Sequence, residues 1–448
     1  MTLGERGEGD GFHVPAIVRR HVEDGSFYWL QIDACESHTG LGARRAQHFS
    51  GLLQAHLDGL RASAPAAVPL ALSAVQRWRK PGEAFAALHA AFALPPGPEQ
   101  AKAVQAVFTV IAQAPDLLLR GAVSALSRLA PEQAEPWLLQ ALQGGSVPRV
   151  AALRAHALNR LPVPDWTQQA RHESAFVRAA ACRAAQKESL SALHALRDDD
   201  DLVVRAESML AWARLVPASE RGVDAVAQAA GLLWRCVVEQ LQHLETATGW
   251  NRLQARRRLA RWLRHLAWIA PLGHPGVPQL LAQLPPRLAL SFVLHHGDPR
   301  HLAFVLRAMR QPDSARWALW VWRCLTGVDP LAAGLTLPDP PPDLDAPLSE
   351  AQQDSDHGLP LPEPAAVAAH PANRIALAAG ERLLMGQPVQ AHGLRALLDP
   401  AADQPQALRF VAANALAQLH PAYALNLRAS PKVQAEQLVR MGLAPQTT

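Results

Sequence analysis

Residues 176–186 read FVRAAACRAAQ, and after the acidic run DDDD residues 202–215 read LVVRAESMLAWARL. Both stretches consist of small apolar residues interrupted by arginine, and their apolar residues recur every three or four positions. That spacing predicts amphipathic helices with an alanine-rich buried face. The chain therefore contains the same kind of helical unit twice in succession, and this repetition predicts its architecture.

A five-residue motif extends the repetition along the chain. The motif is alanine, an apolar residue, any residue, arginine and leucine, as in ALSRL (125–129), ALNRL (157–161) and AWARL (211–215). AAQKE (184–188) is a degraded copy, and ALAQL (415–419) repeats the pattern near the C-terminus. The leading alanines of the first four copies are 32, 27 and 27 residues apart. A period near 30, with Pro, Gly or Asp at its edges, is typical of stacked helix pairs.

Four of the five copies carry an arginine five or six residues before the alanine: Arg120, Arg178, Arg205 and Arg409. We predict a structural role in which each arginine bridges to a carboxylate of the adjacent repeat. A ligand-binding ladder is the alternative. An Asp or Ser before a repeat helix is expected to cap it, and the acidic run lies where the helix macrodipole is positive.

Composition supports an all-α fold. Apolar residues make up 49% of the 448-residue chain, but there are only two tyrosines and ten phenylalanines, and alanine and leucine supply most of the rest. Strong helix formers dominate this mixture. The 37 prolines are expected to fall between many short helices, because proline disrupts a helix interior. A first helical unit is predicted over residues 14–60, interrupted by Pro65 and Pro69.

The cysteines and the charge indicate a cytoplasmic protein. The cysteines are widely separated and form no CxxC pair, which favours reduced, mostly buried thiols over disulfides or a zinc site: Cys35, Cys182, Cys236 and Cys324. The net charge of +4 does not by itself indicate nucleic acid or membrane. We find no secretory signal and no apolar run of about 18 residues that would span a membrane.

Composition changes sharply over residues 329–363, which hold eight acidic residues, many prolines and no Lys or Arg. Such a segment cannot bury enough apolar surface to form its own core. We predict an extended loop or linker, attracted to the basic remainder of the chain. The predicted organisation is an N-terminal helical unit (1–75), a repeat solenoid (83–328), this acidic Pro-rich linker (329–372) and a C-terminal helical unit (373–448).

VRAAACRAA and VVRAESMLAWARL resemble HEAT-like repeats. Longer stretches resemble one uncharacterised proteobacterial family of HEAT-like repeat proteins: HVEDGSFYWLQIDACESH (21–38), QAHLDGLRAS (54–63), LTGVDP (325–330), DSDHGLPLPEPAAV (354–367) and RLLMGQPV (382–389). The resemblance implies a right-handed HEAT-like α-solenoid. Because the family's genes often lie beside type VI secretion genes, it also implies an accessory or effector-handling role there, without catalytic residues to carry over.

No motif in the sequence predicts an enzyme or a cofactor site. GxGxxG, GxxxxGK[ST], HExxH and GxSxG are all absent. The densest histidine cluster is LHHGDPRH, with His295, His296, Asp298 and His301, which could hold zinc or iron if the side chains converged. Because adjacent histidines point in different directions, we interpret the stretch as a helix end and a turn, and predict no metal and no cofactor.

Two clusters are candidates for an interaction surface. The helix predicted over residues 249–271 carries six arginines interleaved with leucine and tryptophan: Arg252, Arg256, Arg257, Arg258, Arg261 and Arg264. They could bind an acidic partner protein, nucleic acid or an anionic membrane, or simply face solvent or pair with the acidic segment. Trp317, Trp320 and Trp322 form an aromatic cluster that is either an interface or core.

The sequence thus predicts a non-enzymatic, HEAT-like interaction scaffold or adaptor. Its expected partner is a protein, with a type VI secretion component or effector as the candidate. The rival hypothesis is a nucleic-acid-binding protein that uses the arginine-rich helix over residues 252–264.

Overall fold

The computed structural model describes residues 14–339, 356, 358–375, 377–378, 380–421 and 425–442. These residues contain 22 α-helices and four strands of two residues each, which confirms the all-α prediction. They fall into two compact units. One comprises residues 14–35, 45–184 and 428–433, and the other comprises residues 36–44, 185–427 and 434–442.

The first unit is built from consecutive helices. They are α1 (Pro15–Ala34), α2 (Ala43–Ala62), α3 (Ala64–Trp78), α4 (Pro81–Phe92), α5 (Pro98–Gln113), α6 (Pro115–Arg128), α7 (Pro131–Ala141), α8 (Ser146–Asn159), α9 (Trp166–Ala170) and α10 (Ala175–Ala184). α4 packs on α6, α6 on α8 and α8 on α10. α5 and α7 lie between these in the chain and pack against the same helices. From α4 to α10, each even-numbered helix therefore contacts the next even-numbered helix.

The second unit continues with helices and two short hairpins. Its elements are α11 (Leu190–Leu193), α12 (Leu202–Leu215), α13 (Val223–Thr246), α14 (Gly249–Ile269), α15 (Val277–Gln283), α16 (Pro286–His296), α17 (Leu302–Ala308), α18 (Ala315–Thr326), β1 (Thr336–Leu337), β2 (Leu361–Pro362), α19 (Pro364–Ala369), β3 (Leu383–Leu384), β4 (Gln387–Pro388), α20 (Ala391–Leu398) and α21 (Gln406–Leu419), with α22 (Pro431–Arg440) beginning in the first unit. α12, α13, α14, α16 and α18 pack in that order. Each strand pair is antiparallel.

Most prolines near helices stand at the first or second helical position, where the missing N–H costs no hydrogen bond. Pro65 starts α3 in this way. Pro69 and Pro136 are exceptions to the prediction, because they lie inside α3 and α7. Each is the sixth residue of its helix, so each helix lacks one backbone hydrogen bond in its interior.

The five copies of the alanine motif lie at the carboxyl ends of α6, α8, α10, α12 and α21. α6, α8 and α10 are the helices that pack serially in the first unit. The predicted cap is present before α12, where the Asp201 carboxylate accepts hydrogen bonds from the backbone N–H groups of Val203 and Val204. Within the first unit, three copies of the motif thus lie on helices that pack on one another in chain order.

Two of the repeated arginines, Arg178 and Arg205, fold back onto the turn that precedes their own helix. Arg178 donates to the carbonyls of His172 and Glu173, at 3.0 and 2.8 Å. Arg205 makes the equivalent bonds to Asp199 and Asp200, at 2.9 and 3.0 Å. These charged donors satisfy carbonyls that lie outside regular structure.

Arg205 and Arg120 also bridge to carboxylates, but the partner of Arg120 lies in the N-terminal helix α1 and not in an adjacent repeat. Arg205 Nη2 lies 2.9 Å from Glu239 of α13, and Arg120 Nη2 lies 2.7 Å from Asp33 of α1. Arg409 instead donates to the Leu398 carbonyl at 3.0 Å. Arg149, which the motif did not identify, holds the Gly144 carbonyl at 3.0 Å in the same manner. It is the fourth residue of α8, as Arg178 and Arg205 are the fourth residues of α10 and α12, so helix position would have found it.

The β3–β4 hairpin closes against the ends of α16 and α18. Its backbone N–H groups donate to Gly297, Cys324 and Leu325 carbonyls, each at 2.7 Å. Gly327 ends α18 with φ 74°, and a Cβ there would lie 2.7 Å from the Met385 carbonyl oxygen. LTGVDP and RLLMGQPV are therefore neighbours in the folded chain.

The acidic segment is described only in part, since residues 340–355 and 357, with Asp343, Asp345, Glu350 and Asp354, lie outside the described residues. Asp339 pairs with Arg316 at 2.8 Å, and Asp356 pairs with Arg287. Asp329 lies 3.4 Å from Arg323. Asp339, Asp356 and Asp329 thus pair with arginines of α16 and α18. Downstream, residues 361–369 form β2 and α19.

All four cysteines are buried, as the sequence predicted. Among the described residues, no helix combines the length and the apolar character that crossing a bilayer requires.

His89 of α4 is a buried imidazole stacked on Phe85, with ring centroids 6.2 Å apart. Burial is the main cause that lowers its pKa to about 4. The nearby charges of Arg61 and Arg128 contribute to this decrease, and Asp58 opposes it. In the unfolded chain the group titrates near 6.5. Between these values the unfolded state binds a proton that the folded state does not, so stability falls as the pH is lowered from about 6.5 to about 4.

We expect His89 to cost about 2 kcal/mol of folding stability between pH 7 and pH 5, and His89→Leu to remove that part of the pH dependence. Urea denaturation at a series of pH values measures it. His243→Leu, at an exposed position of α13, is the control and should keep the wild-type slope. Identical slopes for wild type and His89→Leu would contradict the prediction.

Candidate interaction surface

The six arginines of α14 divide into an inward and an outward group. Arg261 forms an ion pair with Glu207 of α12, and Arg264 forms one with Glu36. Arg258 donates to the Gln240 side chain of α13 at 3.4 Å. The Glu207 carboxylate is removed from water, since the residue is 1% exposed, whereas the Arg261 side chain is 32% exposed. These three arginines hold the helix against its neighbours.

The outward group forms what we term the α14 patch: Trp250, Arg252, Leu253, Arg256 and Arg257, all exposed. Their spacing puts them on one side of the first turns of α14. The Arg257 guanidinium lies 5.6 Å from the centroid of the Trp250 ring, within cation–π distance. Arg252 also donates to the Leu244 carbonyl at the end of α13, at 3.3 Å.

Residues on the other side of α14 form core. Leu259, Trp262, Leu263 and Leu266 are at most 1% exposed, as their spacing predicted. The patch is thus the solvent side of an amphipathic helix. It combines tryptophan and arginine, the residue types that dominate binding energy at protein interfaces.

The tryptophan cluster lies in the core. Trp317, Trp320 and Trp322 are 8%, 5% and 0% exposed. Trp317 and Trp320 share a helical face and stack with centroids 4.5 Å apart, while Trp322 donates its Nε1–H to Asn373 at 2.8 Å. Of the two alternatives for these residues, interface or core, their burial corresponds to core, and they contribute nothing to the exposed surface as it stands.

The structure brings together three of the four candidate residues in LHHGDPRH. One ligand atom each from His296, Asp298 and His301 lies within 4.8 Å of the others, and all three residues are buried. Gly297 ends α16 with φ 64°, and Asp298 caps the following 3-10 turn, Pro299–His301, by accepting from the Arg300 N–H at 3.0 Å. This turn reverses the chain and stacks the rings of His301 and His296, with centroids 5.6 Å apart.

His295 belongs to a different environment. Burial lowers its pKa to about 3, with a further contribution from Arg264. The argument that adjacent histidines point apart therefore holds for His295 and His296, but it does not separate His296 from His301. The HGDPRH spacing, with Gly and Pro around the aspartate, was the sequence signal for this convergence.

No family model matches the chain, and no curated protein and no solved structure matches it either.

Proposed function

We propose that the protein is a non-enzymatic interaction scaffold, built as a HEAT-like α-solenoid, whose α14 patch binds an acidic surface of a partner protein. The serial packing of α4, α6, α8 and α10 within the first unit supports a stack of helix pairs. Stacks of this kind expose long surfaces, which suits binding rather than chemistry. The resemblance in sequence adds a cytoplasmic accessory or effector-handling role in type VI secretion to this proposal.

The single observation that carries the proposal is the composition of the α14 patch. Trp250 and Leu253 are 37% and 40% exposed beside the charges of Arg256 and Arg257. Exposed apolar residues bordered by charge mark interaction sites more often than isolated ones do. The guanidinium groups give the patch a positive charge, so the complementary surface is acidic.

We expect Trp250→Ala with Arg257→Glu to weaken partner binding by about 30-fold, because residues of this kind contribute about 2 kcal/mol or more at an interface. Quantitative co-purification from the native host measures the loss. The chain supplies a matched control in Arg77 and Trp78, an exposed pair whose guanidinium lies 4.8 Å from the ring centroid. Trp78→Ala with Arg77→Glu should recover the same proteins as wild type.

Equal recovery by the α14 variant and the control variant would contradict the proposal. The rival nucleic-acid hypothesis is tested with duplex DNA and the variant Arg256→Glu with Arg257→Glu. Binding that falls steeply with salt and is lost in this variant would favour the rival. Arg261 is unsuitable for that test, because changing it breaks an internal ion pair.

A further inference from the structure

The cluster of His296, Asp298 and His301 presents donor atoms that the fold itself leaves unused. His296 Nε2 and His301 Nε2 are buried and have no hydrogen-bond partner among the described residues. The residues are 0%, 2% and 9% exposed in chain order. A buried polar atom without a partner costs free energy, so two beside one carboxylate require an explanation.

The hydrogen bonds of His296 define which nitrogen carries the proton. His296 Nδ1 lies 2.7 Å from the Ala267 carbonyl oxygen, which can only accept, and 3.1 Å from Arg382 Nη1, which can only donate. Because the two hydrogens of Nη1 go to the Ala267 and His296 carbonyl oxygens, we assign the ring hydrogen to Nδ1. Nε2 then has a free lone pair. Imidazoles that bind metals usually donate their other ring N–H to a carbonyl or carboxylate in this way.

Arg382 lies beside the contact between His296 Nδ1 and Ala267 and leaves the Nε2 lone pair of His296 unused. Its Nη1 donates to the carbonyls of Ala267 and His296, and its Nη2 donates to those of Trp268 and Ala270, at 2.9 and 3.1 Å. The guanidinium therefore donates these hydrogens to backbone oxygens. Its central carbon lies 4.8 Å from the centroid of the Trp268 ring. Arg382 thus has a structural role on the Nδ1 side of His296, opposite Nε2.

Both carboxylate oxygens of Asp298 accept hydrogen bonds, and Oδ2 accepts only one of those described. Oδ1 accepts from the N–H and Nε of Arg300, whereas Oδ2 accepts from the Gly273 N–H at 2.9 Å and lies 4.0 Å from His301 Nε2. Burial raises the pKa of Asp298, but the hydrogen bonds from Arg300 and Gly273 outweigh it and leave the pKa below its ordinary value.

Burial favours the neutral form of both imidazoles. Burial lowers the pKa of His296 to about 4, aided by Arg382, and burial also lowers the pKa of His301. Two neutral imidazoles and one ionised carboxylate are the protonation states that metal coordination requires.

We infer that His296, Asp298 and His301 form a site for one divalent transition cation, held by two imidazole nitrogens and one carboxylate oxygen. This donor set suits zinc or iron(II). Coordination at the usual bond lengths would draw the donor atoms to about 3.3 Å from one another, closer than the present 4.8 Å limit. The ion would thereby tie the end of α16 to the 3-10 turn before α17.

Tag-free, full-length protein stripped with a chelator is titrated with Zn²⁺ against a chromophoric competitor. We expect one ion per chain. His296→Ala and His301→Ala should each lower the affinity by more than the roughly 10–100-fold that loss of an outer partner costs. His295→Ala changes a neighbouring buried histidine outside the cluster and should bind as wild type does.

Circular dichroism establishes that the variants are folded, and X-ray absorption of Zn²⁺-loaded wild type provides a test without any substitution. Two imidazole nitrogens and oxygen at about 2.0 Å support the site. Substoichiometric binding by wild type, undiminished binding by both cluster variants, or a zinc shell without imidazole would overturn it. Undiminished binding by both variants would mean that other residues hold the ion, in a chain that has 19 histidines. A shell without imidazole would mean that no histidine holds it.

Discussion

Replacing Arg261 by methionine is expected to lower the free energy of unfolding by about 3 kcal/mol or more. The substitution leaves the Glu207 carboxylate, 1% exposed in the middle of α12, without its ion-pair partner in α14. Removing one partner of a buried ion pair costs about 3–5 kcal/mol, because the remaining carboxylate has lost its water and no longer has that partner's charge to offset the loss. Chemical denaturation of the two proteins measures the difference.

Two further variants separate this effect from loss of side-chain packing. Adding Glu207→Met to Arg261→Met should recover most of the stability, since an apolar pair of similar volume often replaces a buried ion pair without cost. Arg256→Met, in the exposed part of the same helix, should change stability by less than about 0.5 kcal/mol. Equal losses in the single and double variants would show that the ion pair is not the cause.

The arginine-rich helix shows how far the sequence can be interpreted. Periodicity predicted its buried leucines and tryptophan, because burial follows helical position. The division of its arginines depends on Glu207, 54 residues before Arg261, and on Glu36, near the N-terminus. Contacts between distant segments leave no periodic signal, so a six-arginine surface was predicted where three arginines are turned inward.

The repeats show the complementary case. Alanine, leucine and a phased arginine predicted the helices and their order, because these features act within one helical turn. The partner of each arginine was predicted less well: Arg178 and Arg409 hold backbone carbonyls, which every residue possesses and no sequence pattern marks. Arg149 was missed because it lies further from its alanine motif than the others.

The sequence argument that the histidines point apart failed for His296 and His301 for a third reason. Whether His296 and His301 converge depends on the backbone of the intervening Gly-Asp-Pro turn, and residue directions along a helix do not extend past its end. The left-handed Gly297 and the Asp298 cap decide the geometry. Sequence reasoning could identify the turn but not the distance between the rings that it connects.

Gly121→Ala is expected to destabilise the first unit by about 3 kcal/mol. Gly121 lies in α6 where that helix meets the start of α4, and a Cβ there would stand 1.9 Å from the Pro81 carbonyl oxygen. The obstructing atom belongs to the backbone, so no change of rotamer can relieve the overlap. The helices must separate, which opens the alanine-rich contact on which the α4, α6 and α8 succession depends.

Gly231→Ala in α13 is the matched control, because a Cβ at that exposed helical position meets no heavy atom within 4 Å. Alanine is the better helix former by about 1 kcal/mol, so this substitution should raise stability by about 0.5–1 kcal/mol. The same change at two helical glycines should therefore have opposite signs. A Gly121→Ala protein as stable as Gly231→Ala would mean that α4 and α6 do not approach as closely as described, and that their close contact does not hold the repeats together.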